Sequence, residues 1–349
     1  MPAQNKFKDL LDRAPTDVVG LDCSSNAVRA VRMRKTATGL SVAGAELMPP
    51  APLDAAADAA AGDGAEAPRR ELALTSRVRG RYAALIAPGI HAVLKLLRLP
   101  EKFDLEDREQ VLARLGFEKP EGYRVATRVI QPASARTEAL VLAAALPERL
   151  AESLLALLPK AGLPAPRFIG ISELAVVNAF HNDPRMAGDG TAHGLIHFDH
   201  DFSLLALFHQ ERLSQLRTFP FGMAAVFKRI MKTLNVDGDT AAGVLTDGAF
   251  DISRLIEEPL REVRGQYVVC RDFMERSENC SLQKLHVSGP GSLTAPFLRE
   301  AQASEPREPW AALEAYPDRA GGCMAERLAV DSWPLTAAIG ACVGVLEAP

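Results

Sequence analysis

Three acidic side chains sit just after apolar runs, where a carboxylate can meet a metal-bound phosphate. Asp22 closes the run Val18-Val19-Gly20-Leu21 and is followed by the small polar turn Cys23-Ser24-Ser25-Asn26. Asp199 closes Leu195-Ile196-His197-Phe198, and His200-Asp201 follow it. The N–H groups and hydroxyls of a turn such as Ser24-Ser25-Asn26 can hold phosphate oxygens, and the carboxylates can hold a hard cation. A third stretch, Ser288-Gly289-Pro290-Gly291-Ser292, has glycines where a backbone must approach a ligand closely. Other chemistries fit less well. His193, His197, Asp199 and Asp201 fall at even spacing and so share one face of an extended strand. Successive strand positions spread too far for one metal ion, so surface or loop residues are expected there. Ser292 follows Gly291, but there is no G-x-S-x-G nucleophile elbow. The five cysteines, Cys23, Cys270, Cys280, Cys323 and Cys342, have no C-x-x-C spacing. They are expected to be buried thiols in a reducing compartment, not disulfides or a zinc site.

The elements that must carry these residues follow from the pattern. Asp17 to Met33 reads as a β-hairpin, apolar run, polar turn, second run. A third strand, Leu40 to Leu47, follows the turn at Thr38-Gly39. The design returns at His193 to Pro220, with strands ending at Phe198, running from Phe202 to Phe208 and from Arg212 to Phe219. Two such meanders about 180 residues apart imply a duplicated, two-lobed α/β architecture. Between them, strands are expected at Tyr82–Ala87, His91–Leu99, Tyr123–Gln131, Glu138–Ala145 and Arg167–Ile171. Helices are expected at Phe103–Leu115, Pro147–Lys160 and Leu174–His181. After the second meander come helices at Met223–Leu234, Asp239–Thr246, Ile252–Glu278 and Leu293–Gln302, a strand at Lys284–Ser288, and a closing helix at Trp333–Leu346. Gly340 and Gly344 in that last helix imply close packing on the sheet. Asn5–Arg13 is expected as a frayed terminal helix. Pro49–Arg70, rich in Ala, Pro, Asp and Gly, is expected as a surface loop with one weak helix at Leu53–Ala61. The run Asp104-Glu106-Asp107-Glu109 reads as a solvated helix face.

These residues carry a resemblance. Gly20-Leu21-Asp22-Cys23-Ser24-Ser25-Asn26-Ala27-Val28-Arg29-Ala30-Val31 is similar to the first phosphate loop of the actin-like ATPase superfamily, and most closely to PilM-type proteins of type IV pilus assembly, relatives of FtsA. Asp199-His200-Asp201 resembles the second phosphate loop, D-x-G. Ser288-Gly289-Pro290-Gly291-Ser292 resembles the adenosine loop, S-G-G-G-S. The three occur in the family's order from Val18 to the C-terminus. The resemblance implies an actin-like (ribonuclease H-like) two-lobed fold, with residues 1–192 as the first lobe and 193–349 as the second. It also implies a subdomain inserted into the first lobe at about 101–162. The implied cofactors are ATP and Mg²⁺, at Asp22, Ser24, Ser25, Asn26, Asp199, Asp201, Gly289, Gly291 and Ser292.

The sequence departs from that pattern at the site itself. Ser24 and Asp201 stand where the two phosphate loops have glycine, and Pro290 replaces a glycine of the adenosine loop. The helix from Asp239 carries Ala241-Ala242-Gly243 in place of the family's lysine. A like-charge contact of Asp201 with phosphate at about 4 Å costs on the order of 4 kcal/mol at an effective dielectric near 20. Weak or absent nucleotide binding is therefore expected, and no catalytic or metal-ligating set is assigned. The resemblance implies a cytoplasmic scaffold of a pilus or related secretion machine. Its partner would be the cytoplasmic tail of a PilN-like bitopic inner-membrane protein, with other pilus components nearby. An active Mg-ATP-dependent ATPase or small-molecule kinase is the opposing reading. A third, an FtsA-like filament former, would carry a C-terminal amphipathic anchor, which is not expected directly after the closing helix. Composition is that expected of an ordinary soluble protein. The 349 residues are 48% hydrophobic with a net charge of −4, so no basic excess points to nucleic acid. Aromatics at 6% leave few stacking platforms for bases. No signal peptide or membrane-spanning run is expected, so association with the membrane would come through partners. A homo-oligomer is left open.

Overall fold

The computed structural model describes residues 14–347 apart from 38, 52, 54–70, 119–120, 135–136, 161, 184–190, 248–250, 307–309, 314–316, 319–321 and 324–332. The expected helix at Asn5–Arg13 lies outside these residues. So does the expected weak helix at Leu53–Ala61, except Leu53 itself, which is buried.

Two five-stranded sheets repeat one topology. In the first, β1 (Asp17–Cys23), β2 (Val28–Thr36) and β3 (Gly39–Met48) form an antiparallel meander. β4 (Tyr82–Ala87) pairs parallel to β1, and β8 (Ala165–Ile171) pairs parallel to β4. The strand order is β3-β2-β1-β4-β8. In the second sheet, β9 (Ala192–Phe198), β10 (Ser203–His209) and β11 (Arg212–Phe219) form the meander. β12 (Leu282–Ser288) and β13 (Trp310–Ala312) add in parallel, giving β11-β10-β9-β12-β13. The leading strand of each half, β1 or β9, is covered on both faces, which is why each reads as a continuous apolar run.

The third sheet, β5-β7-β6, is built from β5 (Val93–Leu99), β6 (Tyr123–Gln131) and β7 (Ala139–Pro147). Helix α1 (Arg108–Leu115) closes a small core of its own with Val111, Leu112, Leu115, Ala143 and Ala145. Asp107 caps this helix by accepting from the N–H groups of Glu109 and Gln110. The acidic run is thus a helix start as well as a wet face. This unit begins at Val93 and ends at Pro147, earlier at both ends than 101–162. The reason lies in the pairing: β5 faces β7 along its whole length. Helix α2 (Glu148–Ala156) leaves it and buries Leu150 and Leu154 in the core of the first sheet, with Leu157 and Leu158 just beyond. The helix is shorter than the expected Pro147–Lys160: Pro147 still belongs to β7, and Leu157 is already the C-terminal cap.

The second sheet is covered by α4 (Met223–Leu234), α5 (Gly238–Asp247), α6 (Ser253–Glu278) and α7 (Gly291–Ser304). The closing helix, α8 (Thr336–Leu346), does not pack with them. It crosses back to the first sheet and lies between β1 and α3 (Ser172–His181). A division at residue 193 therefore places α8 with the wrong lobe. The glycines explain the seating. A Cβ at Gly20 would overlap the Ala338 carbonyl, and one at Gly340 would overlap the carbonyl of Ala175. Gly340 and Gly344 thus set a helix–helix contact with α3, while on the sheet side the close approach is made by Gly20 of β1. The helix is buried all round, as its apolar sequence requires. Its Cys342 thiol faces the carbonyl of Val31 at 3.2 Å, and burial pushes its pKa up to about 12. Cys23 and Cys270 are also buried and Cys280 is half-buried, all as free thiols.

Candidate functional site

The two hairpin turns meet at a polar cluster between the sheets. Its first half follows from strand register. In the β1–β2 ladder Asp22 lies directly opposite Arg29. The Arg29 guanidinium donates to Asp22 Oδ2 at 3.1 Å and reaches Asp199 Oδ1 at 3.4 Å across the lobes. It also donates to Asn26 Oδ1 at 3.1 Å. All three charged groups are buried, with side chains no more than 4% exposed. Asp199 opens the β9–β10 turn, where its N–H donates to the Phe202 carbonyl. Its carboxylate accepts from the His200 N–H and lies 3.3 Å from His197 Nε2. The other ring nitrogen of His197 faces Ser288 Oγ at 2.6 Å, joining the glycine stretch to the cluster.

The first loop turns its hydrogen bonds inward. Ser24 Oγ lies near Asn26 Oδ1 and donates to the Ala27 carbonyl. The Ser25 N–H donates to Asp201 Oδ2 at 2.9 Å, and Ser25 Oγ donates to Asp201 Oδ1. Asp22 accepts a further bond from Ser172 Oγ at 3.0 Å. Asp22, Ser24, Ser25, Asn26, Asp199 and Asp201 are thus brought together. Gly289, Gly291 and Ser292 lie on a separate loop ahead of α7. Gly289 has φ +131°, a left-handed conformation that favours glycine, and a Cβ there would overlap the Phe198 carbonyl. Pro290 stands at the N-terminus of α7, its carbonyl accepting from the N–H groups of Leu293 and Thr294. Ser292 Oγ approaches the Met223 sulfur at 3.5 Å.

The cluster divides its carboxylates electrostatically. Burial pushes the Asp22 carboxyl up to about 6, against the pull of Arg29. Burial acts the same way on Asp199, but Arg29, His197 and the His200 N–H together outweigh it and hold that carboxyl at about 2. Glu173, at the start of α3, is pushed up to about 7 by burial and by the neighbouring Asp199, Asp22 and Asp201. Its Oε2 is buried without a hydrogen-bond partner among the described residues. It packs against Gly89, where a Cβ would overlap the carboxylate. A group of this kind can hold or release a proton near neutral pH.

Two expectations about β9 need correction. His193 and His197 are buried, because β9 is the middle strand of its sheet and both faces are covered. His193 stacks on Phe208 rather than joining His197 and Asp199. Among the described residues no group of three or more side chains is arranged to hold a metal ion.

By sequence alone, no protein-family model and no curated protein matches the chain. Solved structures do match. A PilM–PilN type IV pilus biogenesis complex superposes with a TM-score of 0.71 at 16% identity, over 95% of this chain and 98% of that one. The chain has the actin-like ATPase fold. More distant likenesses are a Bacteroides thetaiotaomicron protein of actin-like ATPase fold and unknown function (TM-score 0.46, 9% identity, 86% and 91% covered) and the ethanolamine utilization protein EutJ of Carboxydothermus hydrogenoformans (0.43, 9%, 97% and 96%).

Within this actin-like fold the sequence reading missed Arg29, Ser172 and Glu173 as members of the cluster, and it set His197 aside as a surface or loop residue. Arg29 had a signal: a four-residue turn closing Cys23 against Val28 places residue 22 opposite residue 29. Glu173 had none beyond its place at a helix start.

Proposed function

We propose that this protein is a scaffold of a type IV pilus or related secretion machine. In this reading it binds the cytoplasmic tail of a PilN-like inner-membrane protein and has a degenerate nucleotide site. The observation that carries the reading is a groove of about 430 Å³ lined by the inserted unit, the first lobe and the β10–β11 hairpin of the second sheet. Two open strand edges line it: β6 at the edge of its sheet and β8 at the edge of the first. Val129 on β6 and Phe168 on β8 expose 45% and 47% of their surface there. Asn178 and His181 of α3 form the floor, with Arg128 and Arg212 at the sides. An extended tail could pair with a free edge through its main chain and place alternate apolar side chains against Val129 and Phe168. Likeness in fold to a protein solved with PilN supports the same occupant. The neighbouring helix α2 and the residues after it offer no wall to the groove in this reading, since Leu150, Leu154, Leu157 and Leu158 are buried in the first-lobe core.

The residues of the cleft do not fit a magnesium nucleotide. Asp201 holds the Ser25 N–H and hydroxyl, and Arg29 stands between the two aspartates that would orient a cation. One observation favours the opposing ATP-dependent enzyme: the buried Glu173 carboxyl beside the cluster, whose Oε2 has no hydrogen-bond partner among the described residues. In this reading the partner holds the protein at the inner membrane; no helix among the described residues is long and apolar enough to cross a membrane.

The test is a fluorescence titration with the synthetic N-terminal cytoplasmic peptide of the bitopic membrane protein encoded beside this chain. A tail that orders on binding should bind at roughly micromolar affinity. Val129→Glu should weaken binding about tenfold or more, because an unpaired carboxylate would be buried against the peptide. Val269→Glu, on the exposed face of α6, should leave it unchanged. Equal affinity for both variants would remove the groove from the site.

A further inference from the structure

The cleft between the two sheets is closed by side chains that have the charges of a bound ligand. One carboxylate, Asp201, spans both donors of Ser25, using one oxygen for the N–H and the other for the hydroxyl. It comes from the β9–β10 turn of the second sheet, while Ser25 belongs to the β1–β2 turn of the first. Asp201 is 8% exposed in its side chain, although Ser25 is open to solvent. A few ångströms deeper, the Arg29 guanidinium of the first sheet touches a carboxylate from each sheet, Asp22 and Asp199. A turn N–H paired with an anion, behind it a cation shared by two acids, is the charge pattern a bound phosphate with its cation would create there.

We propose that Asp201 and Arg29 form a latch that holds the two lobes together without any bound ligand. In it Asp201 is the anion on the Ser25 N–H and Arg29 the cation between Asp22 and Asp199. A fold that closes on a ligand needs that ligand's differential contacts to favour the closed form. Here the chain supplies those contacts itself, so the closed arrangement is its resting state. That would suit a scaffold, since α3, which floors the groove, starts at Ser172 and Ser172 is tied to Asp22. The inference rests on the reading of the cleft as one that holds no nucleotide.

The experiment is amide hydrogen exchange followed by NMR on the whole chain, with nucleotide left out. In the native protein the Ser25 amide should be protected. Asp201→Ala should speed its exchange about tenfold or more, the loss expected for a hydrogen bond to a charged group. Amides within β1, such as Val19, should keep their native rates and report that the fold is intact. The radius of gyration from small-angle scattering should rise as the lobes separate. Asp201→Asn keeps the shape and loses the charge, and it carries the test if the alanine variant fails to fold; its Ser25 amide should exchange faster than native. An unprotected Ser25 amide in the native protein, or native exchange in both variants, would overturn the latch. Nucleotide binding found separately would overturn the functional reading on which the latch rests, whereas native exchange in both variants with no nucleotide bound would overturn the latch alone.

Discussion

Replacing Arg29 with methionine is expected to destabilise the protein by about 3–5 kcal/mol at neutral pH, the loss typical when one partner of a buried ion pair is removed. Arg29 neutralises Asp22 and Asp199, both buried. Without it the two carboxylates must stay charged in a dry site or take up protons. The pH dependence has a definite sign. Asp22 already titrates at about 6, above its ordinary 3.8, so its folded form binds a proton more readily than its unfolded form. Such a group costs stability above its ordinary value, and the cost fades as pH falls through about 6 toward 4. Asp199 behaves oppositely in the native protein: held at about 2, it adds stability that is lost only as pH falls from about 4 toward 2. Removing Arg29 raises both carboxyls. The deficit of Arg29→Met should therefore be largest near pH 7 and shrink steadily toward pH 4. Urea unfolding followed by circular dichroism at several pH values measures it. A deficit under about 1 kcal/mol at pH 7, or one that grows on acidification, would show that Arg29 does not serve as the counter-ion.

Gly340→Leu should be almost as damaging, for a reason that has nothing to do with charge. A Cβ at Gly340 would overlap the Ala175 carbonyl, which is backbone and cannot swing away. The helix cannot retreat either, because its other face meets β1 at Gly20. Overpacking of a core costs roughly 1–3 kcal/mol and more where backbone must move. Leucine gains at most about 1 kcal/mol of helix propensity over glycine, so the overlap wins. Gly265 is the contrast: it lies in α6 with nothing near its absent Cβ. Gly265→Ala should stabilise by up to about 1 kcal/mol. The measurement is the urea midpoint of each variant. Because α3 both seats α8 and floors the groove, the leucine variant should also lose affinity for the tail peptide.

The strands of both meanders could be read from sequence because each is a run of period-two or fully buried residues bounded by turn chemistry. Tyr123–Gln131 and Tyr82–Ala87 stand where the pattern put them. What could not be read was decided by distant contacts. Nothing local says that Thr336–Leu346 must cross to the first sheet, since a helix apolar on every side fits any buried slot. The start of the inserted unit was obscured because Val93–Leu99 is a good strand for either sheet, and only its pairing with β7 decides. At the site, Asp22 and Asp199 were legible as turn-flanking acids. That Asp201 would turn to Ser25 was not: sequence showed a negative charge near a phosphate position, and the fold shows that charge bonded to the loop. Arg29 was visible only as a polar residue within a strand, until strand register placed it across from Asp22.

If, as we propose, the cleft of this actin-like fold is filled by its own ions, the protein works by holding a partner and not by turning over nucleotide. Calorimetric titration of ATP with Mg²⁺ into the native chain tests it most directly. No saturable heat is expected up to roughly millimolar nucleotide, a free energy of about −4 kcal/mol or weaker. A micromolar dissociation constant, accompanied by ATP turnover that Asp22→Ala abolishes, would contradict it.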